Sequence, residues 1–148
     1  MRETEAFYEL AREYCDYVRA NEISRGSIPF LMALLMRLYM SAQALPDLAM
    51  DGEDAPQTDL NSEFAIRLDA RISPDYWEIY DPKRPDEAVC GNLVDDLADV
   101  ASDLQRGIED YDSGNGASAA FVWKLGLNHH WGKHVVDALR ALHSVIRE

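Results

Sequence analysis

A chain of 148 residues, 47% hydrophobic and 28% charged, suits one globular domain that buries roughly 68–70% of its unfolded surface. Its 27 acidic against 14 basic residues give a formal net charge of −13. That balance argues against binding nucleic acid through the phosphate backbone and against anionic membrane surfaces. Met1-Arg-Glu-Thr-Glu5 has no apolar stretch of the kind a secretory leader carries. The longest apolar run, Ile28 to Met36, falls short of the about 20 residues a bilayer span requires. A cytoplasmic protein is therefore expected. Cys15 and Cys90 lie far apart with no CxxC spacing, so both are expected as reduced core thiols.

The charge is unevenly placed. Residues 1–45 hold six acids and five bases, and residues 46–113 hold nineteen acids and five bases. Residues 114–148 hold two acids and four bases together with all four histidines. The end of the chain is the cationic part of an acidic protein.

From Thr4 to Ala20, Phe7, Leu10, Ala11, Tyr14 and Val18 recur at helical spacing, which predicts an amphipathic helix. Glu9, Glu13 and Asp16 fall on its opposite, solvated face. Ser27 can cap a second helix and Pro29 suits a first turn. From Ile28 to Leu45 the pattern is apolar nearly all round, predicting a central buried helix ended by Pro46. Arg37 interrupts it, and a buried guanidinium needs a carboxylate partner, expected from the acidic helix further on.

Residues 46–60 read as a turn-rich acidic loop inside one domain of residues 1–148. Asn61 or Ser62 can cap a shorter helix through Phe64, Ile66, Leu68 and Ile72. Pro74 and Pro82 bracket Tyr76, Trp77 and Tyr80, predicting an ordered loop or short turn whose aromatics plug a core edge. Gly91 and Asn92 read as turn and cap for a strong helix, Leu93 to Tyr111. At about 100° per residue, Asp96, Asp99, Asp103 and Asp110 form an acidic stripe beside the apolar seam of that helix.

Asp112-Ser-Gly-Asn-Gly116 is a break, and one long final helix is expected from Ala117 or Ser118 onward. Its buried face would centre on Phe121, Leu125, Val135, Leu139, Leu142 and Ile146. His130, His134 and Asp137 cluster within about 60° on the far edge. Trp131 lies among them in sequence. His129 and His143 cannot join the cluster without a break in the helix. Gly126 and Gly132 are places where another backbone can approach closely. The expected architecture is all-α, a single-domain bundle of four or five helices. Its polar centre would join Arg37, Tyr76, Trp77 and the Asp96/Asp99/Asp103 flank to His130, Trp131, His134 and Asp137.

Four blocks carry a resemblance: Leu38-Tyr-x-x-Ala-x-x-Leu-Pro46; Tyr76-Trp-x-x-Tyr-Asp-Pro82; Asp95-Asp-Leu-Ala-Asp99 with Asp103-Leu-x-x-Gly107; and His130-Trp-Gly-x-His134 with Asp137-Ala-Leu-Arg-Ala-Leu-His143. They resemble an uncharacterised bacterial family of helical proteins, catalogued as a domain of unknown function, over about residues 30–145. The resemblance implies an all-helical single domain and implies no reaction.

Two functional readings follow from the residues. In the first, a compact acidic helical domain covers a basic protein partner in the manner of immunity proteins and antitoxins, with the acidic stretch 47–59 as contact. In the second, His130 and His134 at i, i+4, with Asp99 and its neighbours Asp96 and Asp103, hold a divalent metal that activates water for hydrolysis. The HxxxH spacing lacks the following glutamate of a zinc-protease helix and the ExxH pairs of a di-iron bundle. The bland counterpart is that the histidines only hydrogen-bond the aspartates and orient two helices. The interaction reading is ranked first from sequence. Nucleophilic and phosphate-loop chemistry drop out, since Gly114-Asn-Gly116 lacks the P-loop spacing and lysine, and no Gly-x-Ser-x-Gly occurs.

Overall fold

The structure, a computed structural model, describes residues 2–47 and 64–148. The expected acidic loop beyond Asp47 and the cap at Asn61 or Ser62 lie outside the described residues. The chain folds as α1 (Arg2–Ala20), α2 (Ile28–Gln43), β1 (Asp75–Glu78), β2 (Val89–Asn92), α3 (Leu93–Asp112), α4 (Gly116–His129) and α5 (Trp131–Ile146). This is a predominantly helical single domain with one small two-stranded sheet. Helix α3 is central, packing on α1, α4 and α5, while α2 lies against α1, α4 and α5.

Helix α1 forms as its periodicity predicts, with Phe7, Leu10, Ala11, Tyr14 and Val18 buried and Glu9, Glu13 and Asp16 exposed. Helix α2 departs from expectation. Only one face, Ile28, Leu31, Leu34, Leu35, Leu38 and Ala42, is buried, whereas Phe30, Met36 and Met40 are exposed. Arg37 shares the exposed face, where its guanidinium meets Glu13 at 3.5 Å. With more than half of its side chain in water, Arg37 needs no buried partner, and it is no part of the polar centre. Ser27 precedes α2 but turns its hydroxyl to Ser24 O and makes no side-chain cap bond.

The helix expected through Phe64–Ile72 is absent. Phe64, Ile66 and Leu68 are two residues apart, and that period belongs to extended chain, where successive side chains point to opposite faces. Their burial alternates accordingly with exposed Ala65 and Arg67. The segment runs parallel to Ile23, which donates its N–H to Arg67 O at 2.8 Å and accepts from Asp69 N–H at 2.9 Å.

The aromatic stretch after Pro74 is a strand. Strands β1 and β2 pair antiparallel, with Tyr76 opposite Gly91 and Trp77 opposite Cys90. The Tyr76 ring lies where a Cβ on Gly91 would be, so the glycine serves close approach rather than a turn. Trp77 and Tyr80 are exposed instead of plugging the core. Cys90 is exposed too, not buried as expected, while Cys15 sits in the core with both thiols free. Burial pushes the Cys15 thiol up to about 12.

Asn92 caps α3 as expected, its side chain accepting from Asp95 N–H at 3.0 Å. Asn115 does the same for α4, accepting from Ser118 N–H at 3.1 Å.

The single final helix is in fact two, broken at His130. Two glycines and a tryptophan make the break. A Cβ on Gly132 would collide with the Leu127 carbonyl, and one on Gly126 would meet the Trp131 ring at 2.5 Å. The fully buried Trp131 donates its indole N–H to Trp123 O at 2.9 Å. The break changes the helical phase, so Trp123 is fully buried while Leu125 and Ile146, expected in the buried face, are exposed. Phe7, Trp123 and Trp131 form an aromatic cluster with centroids 4.9 and 5.9 Å from Phe7.

Candidate functional site

Helix α3 supplies three carboxylates at i, i+3 and i+7. Asp96 and Asp103 are buried at 5% and 6% exposure, and Asp99 between them is less so. Opposite stand His130, at the break between α4 and α5, and His134, one turn into α5. His130 Nδ1 lies 2.5 Å from Asp103 Oδ2. His134 Nδ1 lies 2.7 Å from Asp96 Oδ1, and its Nε2 lies 3.4 Å from Asp99 Oδ2. The two imidazoles meet edge to face, centroids 4.9 Å apart.

An ionised carboxylate only accepts hydrogen bonds, so each Nδ1 facing one carries its proton. That leaves His130 Nε2 for a further partner, while His134 Nε2 faces Asp99 Oδ2 at 3.4 Å. His130, His134 and Asp99 each offer one ligand atom, all within 4.8 Å of one another.

Two further side chains hold the buried carboxylates. Tyr76, from β1, donates its hydroxyl to Asp96 Oδ2, and Arg106 meets Asp103 Oδ1 at 3.3 Å. Asp96 therefore bridges the hairpin and α5. The hydrogen bond to Asp96 raises the pKa of His134 despite the opposing effect of burial, and Asp99 adds to the rise. Burial raises the Asp99 carboxyl against the attraction of both histidines. Burial, then the bond to Asp96, raises the Tyr76 phenol well above its ordinary value.

A second polar group sits on the neighbouring side of α5. Lys133 Nζ contacts Asp137 Oδ2 at 2.5 Å and Glu78 Oε1 at 3.4 Å. Burial opposes the Lys133 charge, but the two acids outweigh it and raise its pKa. Burial and the charge of Asp137 raise Glu78.

Of the residues predicted for a polar centre, Tyr76, Asp96, Asp99, Asp103, His130 and His134 come together. Asp137 turns to Lys133, Trp131 lies in the core beneath, and Trp77 points outward at 73% exposure. Arg37 is on another face. Sequence reasoning missed Arg106, Lys133 and Glu78. Arg106 was legible as a base one turn after Asp103, whereas Glu78 required the hairpin.

The arrangement is a helical bundle whose central helix meets a histidine pair across a carboxylate interface. The chain belongs to the family described as domain of unknown function DUF5063, which matches residues 1–148. A crystal structure of protein BF1032 from Bacteroides fragilis, a Northeast Structural Genomics Consortium target, is similar at 22% identity. The similarity covers 100% of this chain and 97% of that one, with a TM-score of 0.73; it shows a shared fold. No curated protein matches the chain. Among the described residues, no helix is long and apolar enough to cross a membrane.

Proposed function

We propose that the protein binds a divalent transition-metal ion between His130, His134 and Asp99 and serves metal-dependent hydrolysis. The observation that carries this is that His130, His134 and Asp99 each bring a potential ligand atom within 4.8 Å of the others, with each imidazole also held through Nδ1 by a buried carboxylate. Metal-ligating histidines almost always give their other ring N–H to such a partner, which fixes the tautomer and strengthens the ligand. Two imidazoles and one carboxylate suit zinc or another first-row ion and leave coordination positions open. The ion would supply Lewis acidity and an activated water at neutral pH. Asp96 and Asp103 orient the imidazoles, Tyr76 steadies Asp96, and the partial exposure of Asp99 and His130 leaves an approach from solvent.

The alternative, an acidic surface that covers a basic partner, draws on the net charge of −13 and on no particular geometry among the described residues. The metal reading is therefore the one adopted.

Elemental analysis of untagged protein, followed by calorimetric titration of the chelator-stripped protein with zinc and manganese, tests it. One bound equivalent is expected, with at least a hundredfold loss of affinity in His134→Ala. Absence of metal from the purified protein together with no saturable heat would remove the reading and leave a purely structural clamp.

A further inference from the structure

Beyond Tyr76 from the histidine pair lies a groove of about 800 Å³ between the hairpin and α5. Pockets that take small ligands are commonly 300–1,000 Å³, largely apolar, with a few placed polar groups. This groove is walled by Tyr39, Trp77, Tyr80 and Val136, with Lys133 and Arg140 among its polar groups. Trp77 and Tyr80 are 73% and 71% exposed, a large aromatic surface left to water. Such rings offer flat faces on which another ring stacks at low entropic cost.

The charges of the groove differ from those of the protein as a whole. Lys133 is held between Asp137 and Glu78, and its ammonium stands 5.1 Å from the Tyr80 ring centre. Among the described residues no acceptor or acid pairs with the Arg140 guanidinium. An anion is repelled by a protein of charge −13 unless a local cation receives it. Arg140 is that cation, and its planar fork matches the two oxygens of a carboxylate or phosphate.

We infer that this groove binds a small molecule bearing an aromatic ring and an attached oxyanion, the ring against Trp77 and Tyr80 and the oxyanion on Arg140. The inference stands apart from the metal centre, and its test uses metal-free protein so that either can fail alone. Trp123 and Trp131 are fully buried, so added ligand perturbs chiefly the Trp77 emission.

The chelator-stripped protein is titrated with phenyl phosphate and, separately, with benzoate, phenol and inorganic phosphate. A saturable emission change with phenyl phosphate or benzoate is expected, with phenol and inorganic phosphate at least tenfold weaker. Arg140→Gln should weaken the oxyanion-bearing probes roughly tenfold and leave phenol unchanged. Tyr80→Ser, also at an exposed position, should weaken all three ring-bearing probes. No saturable change with either oxyanion probe, equal affinity for phenol, or an Arg140→Gln variant that binds normally overturns the inference.

Discussion

Helices α1 and α3 carry acidic triplets of nearly the same spacing, Glu9/Glu13/Asp16 and Asp96/Asp99/Asp103, and the two have opposite fates. The first faces solvent and makes loose ion pairs, Glu13 with Arg37 at 3.5 Å and Asp16 with Arg19 at 3.9 Å. The second lies beneath the α4–α5 junction, where two of its members are nearly dry and engage imidazole nitrogens at 2.5 and 2.7 Å. Spacing alone does not make a site. What converts a solvated stripe into a polar interface is the element opposite, here a helix pair broken so that His130 and His134 both face α3.

That contrast can be broken at its cause. Gly132→Ala sets a Cβ against the Leu127 carbonyl, and a backbone atom cannot rotate away. A destabilisation of about 3 kcal/mol or more is expected in chemical denaturation, with loss of the His130–Asp103 contact. Wild-type stability would mean that the junction is soft and does not position the histidine.

A smaller effect is expected from removing one member of each triplet. Asp96→Ala strips the acceptor from both Tyr76 and His134. Because His134 is partly exposed, a loss of about 2–3 kcal/mol is expected rather than the full cost of a broken buried pair. Glu13→Ala removes half of a surface pair and should change stability by about 0.5 kcal/mol or less. Equal losses in the two variants would dissolve the distinction between the triplets.

The smallest effect sharpens the comparison with a third, surface pair. The Arg71 side chain bonded to Asp69 holds that carboxyl down at about 2. A depressed carboxylate stabilises the fold above its unfolded pKa of about 3.9, and that contribution is lost as pH falls toward the folded value. Hydrogen exchange at the Asp69 amide, which bonds Ile23 O, should quicken across that window in wild type. Arg71→Ala, which takes away the side chain that holds the carboxyl down, should shrink that pH-dependent loss, and an unchanged pH dependence would exclude the pair as the cause.

The helices were legible because amphipathic periodicity is a local signal, and α1 and α3 follow it residue by residue. The convergence of Asp96, Asp99 and Asp103 with His134 was legible from the same arithmetic, since those residues project from facing helices, and His130 joins them from the turn just before α5. The strand pairing was harder to see, because the Tyr76–Gly91 contact joins residues far apart in sequence around a glycine that also reads as a turn. The break at His130 was half visible: Gly126 and Gly132 announced close approach, but the Trp131 ring that fills the corner is set by tertiary packing. Arg37 misled because an apolar run with one charge reads as buried all round, whereas α2 leaves one apolar face in water.

The proposed metal centre of His130, His134 and Asp99 is open to direct test. Titration of the metal-free protein with cobalt(II), followed in the visible region, tests it directly. Intense d–d bands of a four- or five-coordinate nitrogen–oxygen site are expected to rise to one equivalent, to be lost in His134→Ala and to be retained in Glu13→Ala. Only the weak spectrum of hydrated cobalt throughout the titration would contradict it.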